Sequence, residues 1–384
     1  MTVNEKPVVH IIGMGSMGAI IAVNLLEHTQ CEIVPLFRNV AKCERFVNEA
    51  DSIITINKMY PGYEGENATV IQKIGRVYAP ENYPKDEPIR NLIVATKTYQ
   101  TQDAIRPFLP YINSETNLIL VQNGLGVLEE IKEGIFAPET KQGCPQLFQG
   151  VIAHGAYQVS EFMFNHACDA DFKIARLPWS HHDMVQSCEL VNDDSSNNEL
   201  LHLLTKPIFE KRFHVLHMTY QEMLIGQLFK FLLNSCINSV TAIVDALNEE
   251  VRDCCHATFS SIVEESISIL KVVYQPLFDY EMEYNGKDGY PTLEVTKTFQ
   301  LDPLVDSIIH LCCVVGGRNS TSMRQDTLNL RDTEINYING FVVKMAERFN
   351  MGPSAAKVNK TIVQLVNLRS GLNRARAKKT QALI

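Results

Sequence analysis

Residues 8–28 read VVHIIGMGSMGAIIAVNLLEH, and this stretch decides the fold. VVHII, residues 8–12, is an apolar, β-branched run of strand length. Gly13, Gly15 and Gly18 follow at once as G-x-G-x-x-G, with Met14, Ser16 and Met17 between them, and AIIAVNLLEH then reads as a helix. Each glycine has a mechanical reason. The first permits a tight turn, the second lets a pyrophosphate approach the backbone, and the third lets helix and strand pack closely. The free N–H groups of the helix start then face the phosphates. The glycine pattern alone is a weak signal. In its strand–turn–helix setting it predicts a dinucleotide-binding unit of a doubly wound α/β sheet.

Outward from there, residues 32–37 are the next strand. An NAD binder ordinarily ends this strand with an acid for the ribose 2′-hydroxyl. Here it ends Leu36-Phe37-Arg38-Asn39. An arginine at that place suits a 2′-phosphate, so the pattern leans to NADP(H); a plain surface arginine is the competing reading. Residues 51–56 fit a third strand, and residues 58–90 look like inserted material with a hairpin around VIQKIGRVYAP. NLIVAT at 91–96 and TNLILV at 116–121 are further strands. Ligands of doubly wound sheets bind beyond the carboxyl ends of the strands. That makes Lys97 and Asn123 candidate contacts, and both fit an ordinary loop surface equally well.

From 150 to 177 the pattern becomes alternating: GVIAHGAYQV, EFMFNHA and DFKIARL are three strands that would close the sheet in antiparallel fashion. His154 and His166 lie in them and are read as structural, since no cysteine or acid stands at ligand spacing; no metal is expected. Residues 183–198, with their DDSSNN run, read as a flexible loop, and 200–213 as one more amphipathic segment.

After Thr219 nearly everything reads helical. Thr219 and Glu222 fit a capping box at the start of a long apolar helix. On it Lys230, Asn234 and Asn238 recur at i, i+4 and i+8, and a drift of about 40° per step keeps them on one stripe. Two readings fit. The amides and ammonium serve neighbouring elements, or they hold a ligand with a carboxylate, a carbonyl and hydroxyls. Residues 257–274, 322–349 and 354–369 are further helices, 304–315 is an apolar run, and 275–302 is irregular. Ser322 and Gln325 fit a second capping box, whose free N–H groups also suit an anion. Glu334, among Ile335, Ile338 and Phe341, reads first as an ion-pair partner.

A length of 384 residues argues for two domains, and a 45% hydrophobic fraction allows each a core. The net charge of −9 argues against nucleic acid, and the cluster Arg369, Arg374, Arg376, Lys378 and Lys379 reads as a solvated helix end. Ten scattered cysteines without C-x-x-C read as reduced thiols. The start, MTVNEKPVVH, lacks a signal pattern, and no apolar run is expected to span a bilayer. A cytoplasmic protein is expected.

Several blocks taken together resemble ketopantoate reductase (2-dehydropantoate 2-reductase): GMGSMG, TKTYQ with Lys97, QNGLG with Asn123, KFLLNSCINSVTAI with Lys230 and, most distinctively, SMRQDTLNLRDTEINYING. The resemblance covers most of the chain; 58–90, 183–198 and 275–302 look like additions to the family pattern. It implies an α/β architecture: an N-terminal Rossmann-type domain over 1–214, then an all-helical domain over 215–384 like the C-terminal domain of 6-phosphogluconate dehydrogenase. Residue by residue, it implies that Gly13, Met14, Gly15, Ser16, Met17 and Gly18 hold the pyrophosphate and Arg38 the 2′-phosphate. Lys97, Asn123 and Ala156 would also line the cofactor site, with Glu334 an acid near cofactor and substrate. Lys230 matches the proton donor; Asn234, Asn238, Asn248, Ser322 and Gln325 match substrate contacts. The implied activity is NADPH-dependent reduction of a branched 2-keto acid, 2-dehydropantoate, to (R)-pantoate on the route to pantothenate and coenzyme A. A homodimer is compatible with it. Two alternatives stand beside it: a β-hydroxyacid dehydrogenase acting on another small acid, whose helical domain also carries Lys-x-x-x-Asn, and a family member kept for binding or regulation without turnover.

Overall fold

A computed structural model of the chain describes residues 6–61, 68–122, 125–136, 143–180 and 183–381. The chain divides into two compact units, residues 1–123 with 127–223, and residues 224–384 with 124–126. The division therefore lies beyond the expected 214/215. The physical reason is β11 (Val215–His217), which pairs in parallel with β10 (Phe172–Arg176) and so belongs to the first unit.

The other strands of the first unit are β1 (Val8–Ile12), β2 (Glu32–Leu36), β3 (Ile53–Lys58), β4 (Thr69–Lys73), β5 (Asn91–Val94), β6 (Asn117–Val121), β7 (Gln146–Ile152), β8 (Gly155–Ser160) and β9 (Met163–Cys168). Among the described residues, seven strands form one sheet in the order β11-β10-β7-β6-β5-β1-β2. β5 and β6 are buried throughout, as parallel strands covered on both faces must be. The chain goes from β1 to β2 on one side, then builds β5, β6 and β7 on the other, so the order reverses at β1. A ligand crevice is expected outside the carboxyl ends of β1 and β5 at such a reversal.

Part of the sequence reading changes here. Only β10 closes the main sheet in antiparallel fashion, against β7. The expected strand over GVIAHGAYQV is two, broken at Ala153 and His154, and β8 and β9 join a separate sheet of order β4-β3-β9-β8. The expected hairpin around VIQKIGRVYAP is absent, because β4 takes β3 as its antiparallel partner. Residues 183–198 hold a helix, Cys188–Asn197. Ser187 caps it through the Leu190 N–H at 3.3 Å, and its buried Asp194 accepts from Arg176 Nε at 2.8 Å. A capped end and an ion pair hold a polar sequence helical.

The second unit is helical. At the end of the first unit, Thr219 and Glu222 close the expected box at the start of the Tyr220–Val244 helix: the Glu222 carboxylate accepts from the Thr219 N–H at 3.0 Å, and Thr219 Oγ1 accepts from the Glu222 N–H at 3.5 Å. This helix of 25 residues is, against expectation, long and apolar enough to cross a membrane by composition. More than half of it is buried inside the protein, as fits a core helix. Behind it, Asn339 Nδ2 donates to the Ser235 carbonyl at 3.2 Å and to Asn359 Oδ1 at 3.0 Å. The backbone beside Asn234 is thereby fixed from outside the helix. The single helix expected over 322–349 is three pieces, Ser322–Leu328, a 3-10 turn Ile335–Tyr337, and Asn339–Arg348. Leu330 turns the chain between them with φ +60°.

Candidate active site

The turn after β1 behaves as its glycines require. Gly13 has φ +94°, and a Cβ there would stand 2.7 Å from the Ala95 carbonyl carbon. A Cβ on Gly18 would meet the Gly13 oxygen at 2.2 Å, so this glycine lets the Ser16–His28 helix sit against the turn. At Gly15 nothing lies within 4 Å of that direction, which leaves the backbone open to a ligand. Gly15 is also the N-cap, and no side chain caps the helix. Its first N–H groups have no side-chain acceptor and suit phosphate. Met14 and Met17 pack partly buried against the core, and Ser16 is half-buried.

Next to this turn a pocket of about 530 Å³ opens at the carboxyl ends of β1, β2 and β5. Gly13, Phe37, Arg38, Lys42, Thr96 and Phe108 are among its lining. Arg38 is exposed at its rim. Lys42 lies over the Phe162 ring at 4.8 Å and pairs with Glu161. Its pKa is lowered, first by burial and then by the cations Arg45 and Arg38. The sequence reading missed Lys42. The available signal was Arg38-Asn39 followed by a helix start: Asn39 Oδ1 accepts from the Lys42 N–H at 3.0 Å, which brings Lys42 onto the turn beside Arg38. Open backbone at Gly15 and two cations on one pocket fit a dinucleotide with a 2′-phosphate. Lys97 is exposed just beyond β5, and Ala156 lies on β8 opposite His166; neither lines this pocket. Asn123 lies outside the described residues.

In the second unit, Lys230 retains some exposed surface, yet burial pushes its ammonium below the ordinary lysine range. The Glu334 carboxylate pulls the other way, the weaker of the two effects. Glu334 is half-buried at the start of the 3-10 turn, not on a long helix. Asn234 is half-buried and Asn238 is buried. Among the described residues neither side-chain amide has a protein hydrogen bond, whereas Ser235, Ser239 and Thr241 on the same helix all bond backbone carbonyls. Both amides are thus available to a ligand, as either reading of the stripe allows. Asn248 lies apart from the stripe, on the turn Asn248–Val251; its Nδ2 donates to the Gly316 carbonyl at 3.2 Å, while its buried Oδ1 has no partner.

The second capping box is corrected. Thr321, not Ser322, is the N-cap and accepts from the Arg324 N–H at 3.2 Å. Thr321 Oγ1 also meets Thr241 Oγ1 at 2.8 Å, which fixes it in the core and leaves Ser322 exposed at the first helical position. Gln325 turns back to donate to Ser320 Oγ at 2.7 Å.

Two family models match the chain: ketopantoate reductase PanE/ApbA over residues 9–179, and ketopantoate reductase PanE/ApbA C terminal over residues 222–370. The chain is 48% identical to the 2-dehydropantoate 2-reductase of Saccharomyces cerevisiae, over 98% of each chain. Among solved structures, D-mandelate dehydrogenase with NADH and anilino(oxo)acetate has the same fold at a TM-score of 0.66 and 17% identity, covering 96% of this chain and 99% of that one. A dimeric ketopantoate reductase from Staphylococcus aureus does so at a TM-score of 0.61 and 17% identity, covering 95% and 99%.

Proposed function

The chain belongs to the ketopantoate reductase family, and from that premise we propose that it reduces 2-dehydropantoate to (R)-pantoate with NADPH, on the route to pantothenate and coenzyme A. The observation that carries the chemistry is the stripe on the Tyr220–Val244 helix: a desolvated lysine facing Glu334, followed by two amides that have no hydrogen-bond partner among the described residues. A β-hydroxyacid dehydrogenase or a silent family member is the weaker reading beside 48% identity to a named reductase over 98% of each chain.

When bound, NADPH supplies a hydride to the keto carbon. Gly13 to Gly18 would hold its pyrophosphate and Arg38 with Lys42 its 2′-phosphate; for Lys97, Asn123 and Ala156 a place near the cofactor rests on the family resemblance alone. Lys230 donates the proton from Nζ to the carbonyl oxygen as charge develops there, and its own charge stabilises that oxygen beforehand. Asn234 and Asn238 orient the carbonyl and the hydroxyl, and the unpartnered Asn248 Oδ1 accepts from a substrate hydroxyl. Ser322 and Gln325 meet the carboxylate. Glu334 offsets part of the cost that burial imposes on the charged ammonium. The ten cysteines, all free thiols, fit a reducing compartment, and we assign the enzyme to the cytoplasm, as a homodimer like the relative from Staphylococcus aureus.

The test is NADPH consumption by the purified protein with a panel of branched and aromatic 2-keto acids. The expected result is the highest kcat/KM with 2-dehydropantoate. A preference for an aromatic keto acid would move the assignment to another substrate of the same fold.

Ser322 and Thr321 have separable effects. Thr321→Ala removes a helix cap of typically about 1 kcal/mol and should lower Tm by about 2–4 °C. Ser322→Ala should leave Tm in place and raise KM for 2-dehydropantoate. An unchanged KM in Ser322→Ala would take Ser322 out of the substrate site.

A further inference from the structure

One cluster of ligand-type side chains in the first unit has no part in the proposed reaction. His154, His166 and Asp169 each bring one ligand atom within 4.8 Å of the other two. His154 Nδ1 stands 2.9 Å from His166 Nε2 and 3.3 Å from Asp169 Oδ1. The two imidazoles are 4% and 1% exposed, so the cluster is built into the interior, while Asp169 reaches the surface at its edge.

Proton accounting brings two of these atoms, His154 Nδ1 and Asp169 Oδ1, together as lone pairs. His154 Nε2 faces the Phe213 carbonyl at 3.3 Å, and a carbonyl only accepts, so this nitrogen carries the proton. His154 Nδ1 is then a lone pair, and it confronts a carboxylate oxygen that is also a lone pair. Asp169 Oδ1 is buried and has no hydrogen-bond partner. Among the described residues, the N–H groups directed at Nδ1 are that of His166 Nε2, if protonated, and the Ala170 amide at 3.4 Å; neither relieves Asp169 Oδ1. A cation between the three atoms satisfies all of them at once.

The geometry points to a divalent transition-metal site of the zinc class, with His154 Nδ1, His166 Nε2 and Asp169 Oδ1 as ligands and water in the remaining position. Ligand bonds of about 2.0–2.2 Å in a tetrahedron put donor atoms about 3.3–3.6 Å apart; the His154–Asp169 spacing of 3.3 Å meets this, and the His154–His166 spacing of 2.9 Å would open by a few tenths of an ångström on binding. Around His154 and Asp169 the surroundings have the form that metal ligands usually have, whereas the buried His166 Nδ1 has no hydrogen-bond partner. The Phe213 carbonyl accepts from His154 Nε2 and fixes its tautomer, and the Phe213 ring stacks on His154 at 4.3 Å. His214 Nε2 meets the other Asp169 oxygen at 2.9 Å. Lys58, opposite His166 in the sheet, sends its ammonium to Glu27 at 3.2 Å. Position in the chain gives the site a role. His154 stands where the chain leaves the seven-stranded sheet for the four-stranded one, and Asp169 where it returns. A metal ion there ties both crossings together.

The experiment is equilibrium dialysis of the full chain against Zn2+, with Co2+ absorption as a second probe, on the unsubstituted protein, Asp169→Asn and His166→Gln. Asp169→Asn keeps volume at the exposed edge of the cluster, so it tests the ligand even if His166→Gln folds poorly. We expect one tightly bound Zn2+, a Tm that rises with Zn2+, and visible Co2+ bands without thiolate charge transfer. Asp169→Asn should weaken binding at least about tenfold and abolish the Tm response. Three results would each overturn the site: no bound metal in the unsubstituted protein, equal affinity in Asp169→Asn, or a thiolate band that moves the metal to the cysteines. The cluster would then be a plain histidine–histidine hydrogen bond.

Discussion

Lys230→Gln should lower kcat for 2-dehydropantoate by about 10²–10⁴-fold, the usual cost of losing a general acid, with NADPH affinity unchanged. Glutamine keeps most of the side-chain volume but carries no proton to give. The residues assigned to the cofactor belong mainly to the first unit, so its binding should survive. In the unsubstituted enzyme, reduction should fade as pH rises through the pKa of Lys230. Burial sets that pKa below lysine's ordinary value, so the loss begins at lower pH than for a solvated lysine. The sign for stability is the opposite. A lysine whose folded pKa is depressed costs stability while charged, and the cost disappears as pH rises from the folded pKa to the unfolded one. Lys230→Gln removes that cost, so any fall in its Tm near neutral pH comes from Glu334, left without the ammonium it faces. A Lys230→Gln protein with near-original kcat and pH profile would return the stripe to a structural role.

Arg38→Ala should weaken NADPH by about ten- to a hundred-fold relative to NADH, since a hydrogen bond to a charged group contributes about 1.5–3 kcal/mol. Lys42→Ala should have the same sign and a smaller effect, because Lys42 is already engaged with Glu161 and the Phe162 ring. The measurement is the ratio of kcat/KM for the two cofactors in each protein. Equal use of NADH and NADPH by the unsubstituted protein would remove the 2′-phosphate role from this pocket.

How much could be read in advance follows from the range of the interactions. The turn from Val8 to His28 was legible because strand, glycines and helix are consecutive and each residue's job is local. The Lys230, Asn234 and Asn238 stripe was legible because helical period alone puts them on one face. The four-stranded sheet was not. β3 pairs with β9, whose residues lie more than a hundred positions along the chain, and alternation in β3 cannot say which sheet it joins. The Cys188–Asn197 helix was hidden because its stability rests on Arg176, which composition does not connect to Asp194. The cap at 321 was misplaced by one residue: Ser and Thr are equivalent in the pattern, and the Thr241 hydroxyl that selects Thr321 comes from another helix. Lys42 was missed because a cofactor pocket gathers residues from several turns.

The most direct test of the whole reading is product analysis with 2-dehydropantoate and NADPH, the pantoate formed being separated by chirality and counted against NADPH oxidised. We expect one (R)-pantoate for each NADPH with the unsubstituted protein, and formation slowed by orders of magnitude in Lys230→Gln. Pantoate of mixed chirality, or none while NADPH binds normally, would contradict it.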